Sequence, residues 1–146
     1  MEQILDQVDS NTEHVYAGFW VRAVAAFIDG LIVSFVQNLV TYALYQESFY
    51  SGVMFYNSMS LGFLISLGYH TYFLSSEKQA TLGKQAMGIK VVTLKGERLT
   101  PINAAGRFFA SYLSAIILFI GYLMVAFDSK KQALHDKLVG TYVVRN

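Results

Sequence analysis

Three long apolar blocks separated by polar stretches organise the chain, at about residues 19–45, 53–74 and 108–127. Within them apolar residues run almost continuously instead of recurring at the spacing of a half-buried helix, which predicts helices surrounded by hydrocarbon. The first block extends about 40 Å as a helix, enough to cross about 30 Å of hydrocarbon with tilt or overhang. The second is also long enough to span. The third holds no charged residue, and its helix is expected to begin at Ile102, because Thr100 supplies a capping hydroxyl and Pro101 suits the first helical position.

The connection at residues 75–101 reads as structured. Thr81 is placed to cap a short helix that Gly88 ends, and Ile89 to Leu94, a Lys95-Gly96 turn and Glu97 to Leu99 read as a strand and hairpin. Beyond the third block, Ser129 with Gln132 has the spacing of a capping box, the helix it opens runs to Val139, and Gly140 closes it. Residues 141–144 form a short strand that needs a partner, and the other strand material lies at residues 89–99.

Charge sets an expected orientation. Residues 46–52 carry a single Glu and no basic residue, whereas residues 75–100 carry Lys78, Lys84, Lys90, Lys95 and Arg98. Positive charge stays cytoplasmic, so the N-terminus and this connection are expected inside, along with Lys130, Lys131, Lys137 and Arg145. Three full crossings would put the chain's two ends on opposite sides. Residues 102–127 are too few for two spans, so the favoured expectation is a re-entrant helical hairpin bending near residues 119–121, with a single third span as the alternative. The fold class is therefore an all-α polytopic membrane protein: two spanning helices, a third re-entrant or spanning helical segment, and a small cytoplasmic β-hairpin or strand element.

Composition narrows the function classes. The chain is 54% hydrophobic and 14% charged, with a mean hydropathy of +0.39, whereas a soluble domain is nearer a quarter charged. A net charge of +1 offers no basic face for nucleic acid, and the absence of cysteine excludes disulfides and thiolate chemistry. Residues 1–15, with Glu2, Asp6, Asp9 and Glu13, read as an acidic tail and not as a secretory signal. The membrane domain occupies residues 16–146.

Within the apolar blocks the polar residues are the candidates for function. A central Asp or Arg costs about 2.5–3.5 kcal/mol on insertion scales and usually faces protein or a wet cavity. Arg22 and Asp29 share a helix face but are separated by a rise of about 10.5 Å, so each is expected to pair with another segment: Asp29 with Arg107 or His70, and Arg22 with Asp128 or Asp136. Small residues recur at four-residue intervals as Ala26, Gly30, Ser34, as Ser58, Gly62, Ser66 and as Gly106, Ala110, Ser114, rows along which helices are expected to pack. No enzyme or metal centre is expected: His14, His70 and His135 lie in unrelated segments without ligand spacing, and His135 and Asp136 point about 100° apart on a helix. No cofactor is implied.

These motifs, in this order, resemble the RDD family of small membrane proteins, named for one arginine and two aspartates. Gly18-Phe19-Trp20-Val21-Arg22 through Ile28-Asp29 is similar to the family's opening helix, and Thr81-Leu82-Gly83-Lys84 with Gly88-Ile89-Lys90-Val91-Val92 to its cytoplasmic connection. Arg107 falls where a further arginine is common. Gln132-Ala133-Leu134-His135-Asp136 with Gly140-Thr141 resembles the closing motif. The likeness covers residues 16–144. It implies that the named residues are Arg22, Asp29 and Asp136, with Asp128 the lesser candidate for the second aspartate, and that members transport ions or solutes or serve larger assemblies. Two roles are weighed: an accessory or scaffold subunit of the plasma (inner) membrane that forms a homo-oligomer or binds another membrane protein, and, as the alternative, an oligomeric transporter of a cation, proton or small solute.

Overall fold

A computed structural model describes residues 15–45, 54–116 and 120–146. The acidic tail before Val15, the expected outer connection at residues 46–52 and the first part of the expected bend at residues 119–121 lie outside the described residues. Helix α1 (Phe19–Tyr45) and helix α2 (Met54–Ser75) coincide with the first two apolar blocks. Among the described residues one helix is both long and apolar enough to cross a membrane, at Phe19–Leu44, and only 11% of its apolar 18-residue stretch is buried inside the protein. Such a helix gains little from burial in its own chain and needs an apolar surrounding.

After α2 come helix α3 (Leu82–Ala86) and strand β1 (Ile89–Thr93). Helix α4 (Pro101–Ile116) begins where Thr100 and Pro101 predict, with the Asn103 amide donating to Thr100 Oγ1 at 3.2 Å. Helix α5 (Ile120–Phe127) packs on α4, helix α6 (Leu134–Val139) packs on α4 and α5, and strand β2 (Thr141–Arg145) follows. The chain that leaves α5 thus returns to α4, where Asp136 of α6 meets Arg107. Gly140 ends α6 in the left-handed conformation at φ 72°, which a residue without a Cβ adopts freely.

Two local expectations are corrected. The hairpin after β1 keeps its turn, with the Thr93 amide donating to the Glu97 carbonyl at 2.9 Å, but residues 97–99 form no second strand. Instead β1 pairs antiparallel with β2, Ile89 opposite Arg145 through Thr93 opposite Thr141. Burial explains the choice: Val143 and Val144 bring an apolar strand to the buried Ile89, Val91 and Val92, whereas Glu97 and Arg98 are exposed. Ser129 does not open a helix either. Asp128 Oδ2 accepts the Lys130 and Gln132 amides, each at 3.1 Å, which holds these residues in a turn and delays the helix to Leu134.

The N-terminal approach to α1 joins the same sheet. The Ala17 amide donates to the Val143 carbonyl at 2.9 Å, and the Arg145 amide to Val15 at 2.8 Å, so residues near Tyr16 extend the free edge of β2. On the opposite edge the Val91 amide donates to the Gln79 carbonyl at 2.8 Å. Both edges of a two-stranded sheet are thereby used, which relieves the instability of an isolated pair. Its inner face joins Ala17, Ala25, Leu74, Leu99 and Ala104 in a core lying across the starts of α1 and α4 and the end of α2.

Ile89 is fully buried in this core. Ile89→Ala is expected to cost about 2–5 kcal/mol, read as a lower denaturation midpoint of the purified protein in detergent.

Candidate functional site

Two buried carboxylates anchor the structure, and each is surrounded by donors. Asp136 lies in the first turn of α6 with a fully buried side chain. Its Oδ2 receives Arg22 Nη1 from the first turn of α1 at 2.5 Å, and its Oδ1 receives Arg107 Nη2 from α4. The Ala133 amide adds a hydrogen bond to Oδ2 at 3.0 Å. Both guanidiniums are themselves held by other acceptors. Arg22 donates through Nε to the Ala17 carbonyl at 3.2 Å and through Nη2 to the Lys131 carbonyl at 2.7 Å. Arg107 donates through Nε to Thr141 Oγ1 at 3.2 Å. Two arginines around one acid leave a positive excess, and carbonyl and hydroxyl oxygens disperse it.

Burial alone pushes the Asp136 carboxyl up, but Arg107 and Arg22, helped by the Ala133 amide, outweigh it and hold the carboxyl well below the usual carboxylate range. The same cations act on His135, whose Nε2 lies 3.6 Å from Asp136 Oδ1. Burial, reinforced by Arg107, pushes His135 down to about 3 despite the neighbouring acid. It is a neutral imidazole at neutral pH. Gln132, next in the closing motif, donates through Nε2 to the Thr141 carbonyl at 2.9 Å, tying the turn before α6 to the strand after it.

Asp29 forms the second centre, one and a half to two helical turns deeper along α1. Its Oδ1 accepts the Tyr69 hydroxyl and the Gly83 amide, both at 2.7 Å, and its Oδ2 accepts the Thr81 hydroxyl at 2.6 Å. Lys84 Nζ stands 3.8 Å from Oδ2 and 3.3 Å from Thr81 Oγ1. Asp29 therefore takes over the cap of α3. Thr81 sits at the N-cap position, as the sequence predicts, but its hydroxyl serves the carboxylate and not the helix. Close approach demands the glycine at 83: a Cβ there would overlap the Ala25 carbonyl oxygen and press on the Asp29 carboxyl group. Burial pushes the Lys84 ammonium down to about 8, Arg107 adding to the effect and Asp29 opposing it.

The structure thus unites Arg22, Arg107 and Asp136, and realises the Arg22–Asp136 pair. It does not pair Asp29 with Arg107 or His70. Arg107 lies near the start of α4, level with Arg22 through their shared acid, so the rise from Arg22 to Asp29 keeps it from the deeper carboxylate. His70 donates through Nδ1 to the Ser66 carbonyl at 2.9 Å and stacks near Phe108, with ring centroids 5.4 Å apart. Asp128 lies apart from both centres, bound to Lys137 Nζ at 2.6 Å. The signal that could have pointed to the partners of Asp29 is the Thr81-Leu82-Gly83-Lys84 motif, a hydroxyl, a glycine amide and an ammonium at a helix start, which together suit an anion; Tyr69 carried no signal beyond its aromatic ring.

The small-residue rows fall differently. The inward face of α1 is the neighbouring row Ala25, Asp29, Val33 and Thr41, while Ala26, Gly30 and Ser34 are exposed. Gly62 is buried against the Gln37 side chain, Ser66 is half-buried, and the side chain of Ser58 lies outside the described residues. On α4, Ser114 is buried, Ala110 is half-buried and Gly106 is exposed. Contact between α2 and α4 is instead aromatic, with Phe63 against Phe108, Phe109 and Tyr112 at centroid distances of 5.5–5.8 Å.

Asp136→Asn leaves two buried guanidiniums sharing no carboxylate, and a loss of about 3–5 kcal/mol is expected, measured by denaturant titration. His135 has a folded pKa near 3, below its unfolded value of about 6.5. The unfolded chain binds more protons between these limits, so the stability His135 contributes is complete above about pH 6.5 and is lost as pH falls toward 3. Replacing His135 by Gln is expected to flatten the denaturation midpoint across that window.

Comparison with known proteins identifies a family. The model of the RDD family matches residues 16–140. An uncharacterized Bacillus subtilis (strain 168) protein, YxaI, is 40% identical over 88% of this chain and 96% of its own length. Two further uncharacterized proteins of that organism are similar: YteJ, named as a membrane protein, at 35% identity over 90% of this chain and 82% of its own, and YckC at 30% over 87% and 83%. No solved structure matches the chain significantly. The chain is a membrane protein and belongs to the RDD family.

Proposed function

We propose that the protein is an accessory or scaffold subunit of the plasma membrane, in which the buried charges specify packing and the outward helix faces meet a second copy or another membrane protein. The observation that carries this reading is that both oxygens of each buried carboxylate are engaged by donors of the same chain: Asp29 by Tyr69, Thr81 and Gly83, and Asp136 by Arg22, Arg107 and the Ala133 amide. An acid that must exchange a proton or cation during transport needs a free or weakly held oxygen. These oxygens hold the N-terminus of α1, the connection and the C-terminal segment in one block. The basic residues around that block favour a cytoplasmic position for it and for both approaches to the membrane.

The outward face of α1 suits docking. Phe27, Leu31, Phe35 and Leu39 are exposed beside Ala26, Gly30 and Ser34, and nothing lies within 4 Å of a Cβ built at Gly30. Small residues between large apolar ones permit close helix approach in lipid.

Transport remains the second reading because of one feature: Lys84, 3.8 Å from Asp29, has its ammonium pushed down to about 8, within reach of neutral pH. Reconstitution separates the two. Purified protein in liposomes is expected to carry no proton or cation flux under a gradient, while Gly30→Ile leaves the monomer folded and weakens association by about 1 kcal/mol or more in crosslinking and single-molecule counting. Flux abolished by Asp29→Asn with assembly retained would reverse the assignment in favour of transport.

A further inference from the structure

The end of α5 and the start of α6 border an open surface groove that neither buried centre uses. It measures about 370 Å³ and is lined by Leu123, Met124 and Phe127 on one side and by the Asp128–Lys137 ion pair on the other. Its position relative to the bilayer follows from exposed aromatic residues near the ends of the helices. Trp20 opens α1, Tyr72 lies in the last turn of α2 and Phe127 ends α5; all three are strongly exposed, Phe127 at 89%. The beginning of α1 and the segment after α5 are joined directly by the Arg22 bond to the Lys131 carbonyl. Exposed aromatic rings at such helix ends mark the boundary between hydrocarbon and headgroups. The groove therefore has its apolar wall in the acyl region and its charged wall among headgroups.

The charged wall has unused capacity of both signs. Lys137 uses one ammonium N–H on Asp128 Oδ1 at 2.6 Å, which leaves two donors on a partly exposed side chain. Asp128 Oδ2 is occupied by the Lys130 and Gln132 amides, but Oδ1 accepts only Lys137 among the described residues and retains a lone pair. The hydrogen bond from Lys137 and those from the Gln132 and Lys130 amides hold the Asp128 carboxyl below its ordinary value, so it is ionised at neutral pH. A cation and an anion side by side, next to an apolar slot, complement a ligand with the opposite pair of charges and an alkyl chain.

We propose that this groove binds a zwitterionic glycerophospholipid whose headgroup carries a primary ammonium, as phosphatidylethanolamine does. The lipid phosphate accepts from Lys137, the lipid ammonium donates to Asp128 Oδ1, and an acyl chain lies along Leu123, Met124 and Phe127. A quaternary ammonium has no N–H to donate, and an anionic headgroup without an amine leaves Asp128 facing the lipid's negative charge. The groove thus discriminates among headgroups of similar size.

The test uses the full-length protein in nanodiscs of defined composition, with phosphatidylethanolamine, phosphatidylcholine and phosphatidylglycerol in equal parts. Lipid retained after mild detergent extraction is counted by native mass spectrometry. The expected result is enrichment of phosphatidylethanolamine several-fold over both others, lost in Lys137→Gln and in Asp128→Asn and kept in Lys95→Gln, which removes a charge outside the groove. Since Asp128 also holds the turn before α6, Lys137→Gln is decisive if Asp128→Asn fails to fold. Equal retention of the amine and choline lipids, preference for phosphatidylglycerol, or enrichment unchanged in Lys137→Gln would each overturn the assignment.

Discussion

A buried carboxylate clasped by two arginines is the constraint on which the rest of this structure depends. Asp136 is fully buried, and a charge in that position is tolerated only with close counter-charges and complete hydrogen bonding. Its two partners come from helices distant in sequence, Arg22 on α1 and Arg107 on α4, while Asp136 itself belongs to the C-terminal helix. One electrostatic requirement therefore collects the beginning, middle and end of the chain at a single point. The sheet follows from that gathering: once α6 is seated, β2 lies between β1 and the residues approaching α1, and Val15, Tyr16 and Ala17 complete its edge.

The second carboxylate acts deeper and on a different segment. Asp29 draws the short helix α3 toward α1, through the Gly83 amide and the Thr81 hydroxyl, and draws α2 in through Tyr69. Backbone as well as side chain is engaged, so the contact depends on a glycine at 83 whose missing side chain lets α3 approach the Ala25 carbonyl. Between them the two acids cross-link α1, α2, α3, α4 and α6. Networks of this kind resist rearrangement because each member removed exposes a buried partner.

Beyond these centres the helices have little internal cover. Most of α1 faces outward, and away from the charges the helices meet through Phe63 against α4 and Gly62 against Gln37. A protein so built relies on its surroundings for the remainder of its burial. Lipid supplies such surroundings for a membrane protein, and Trp20, Tyr72, Phe127 and the small-residue row of α1 are all exposed to them.

The apolar blocks, the Thr100-Pro101 helix start, the Gly140 stop and the need of Arg22 and Asp29 for partners were legible in the residues themselves, because length, capping chemistry and the cost of buried charge are local properties, whereas Asp136 stood level with Asp128 until the resemblance preferred it. The family resemblance was legible for the same reason, as its motifs are short and ordered. Partner choice was not. Asp29 could have met any cation or donor brought to its depth, and only the folded chain decided that Tyr69, Thr81, Gly83 and Lys84 reach it while Arg107 turns to Asp136. Nor could the four-residue spacing tell which row of α1 faces inward: Ala25, Asp29 and Val33 repeat with the same period as Ala26, Gly30 and Ser34, one residue apart. The choice fell to the row containing the acid, since leaving a carboxylate in hydrocarbon costs more than leaving a glycine there.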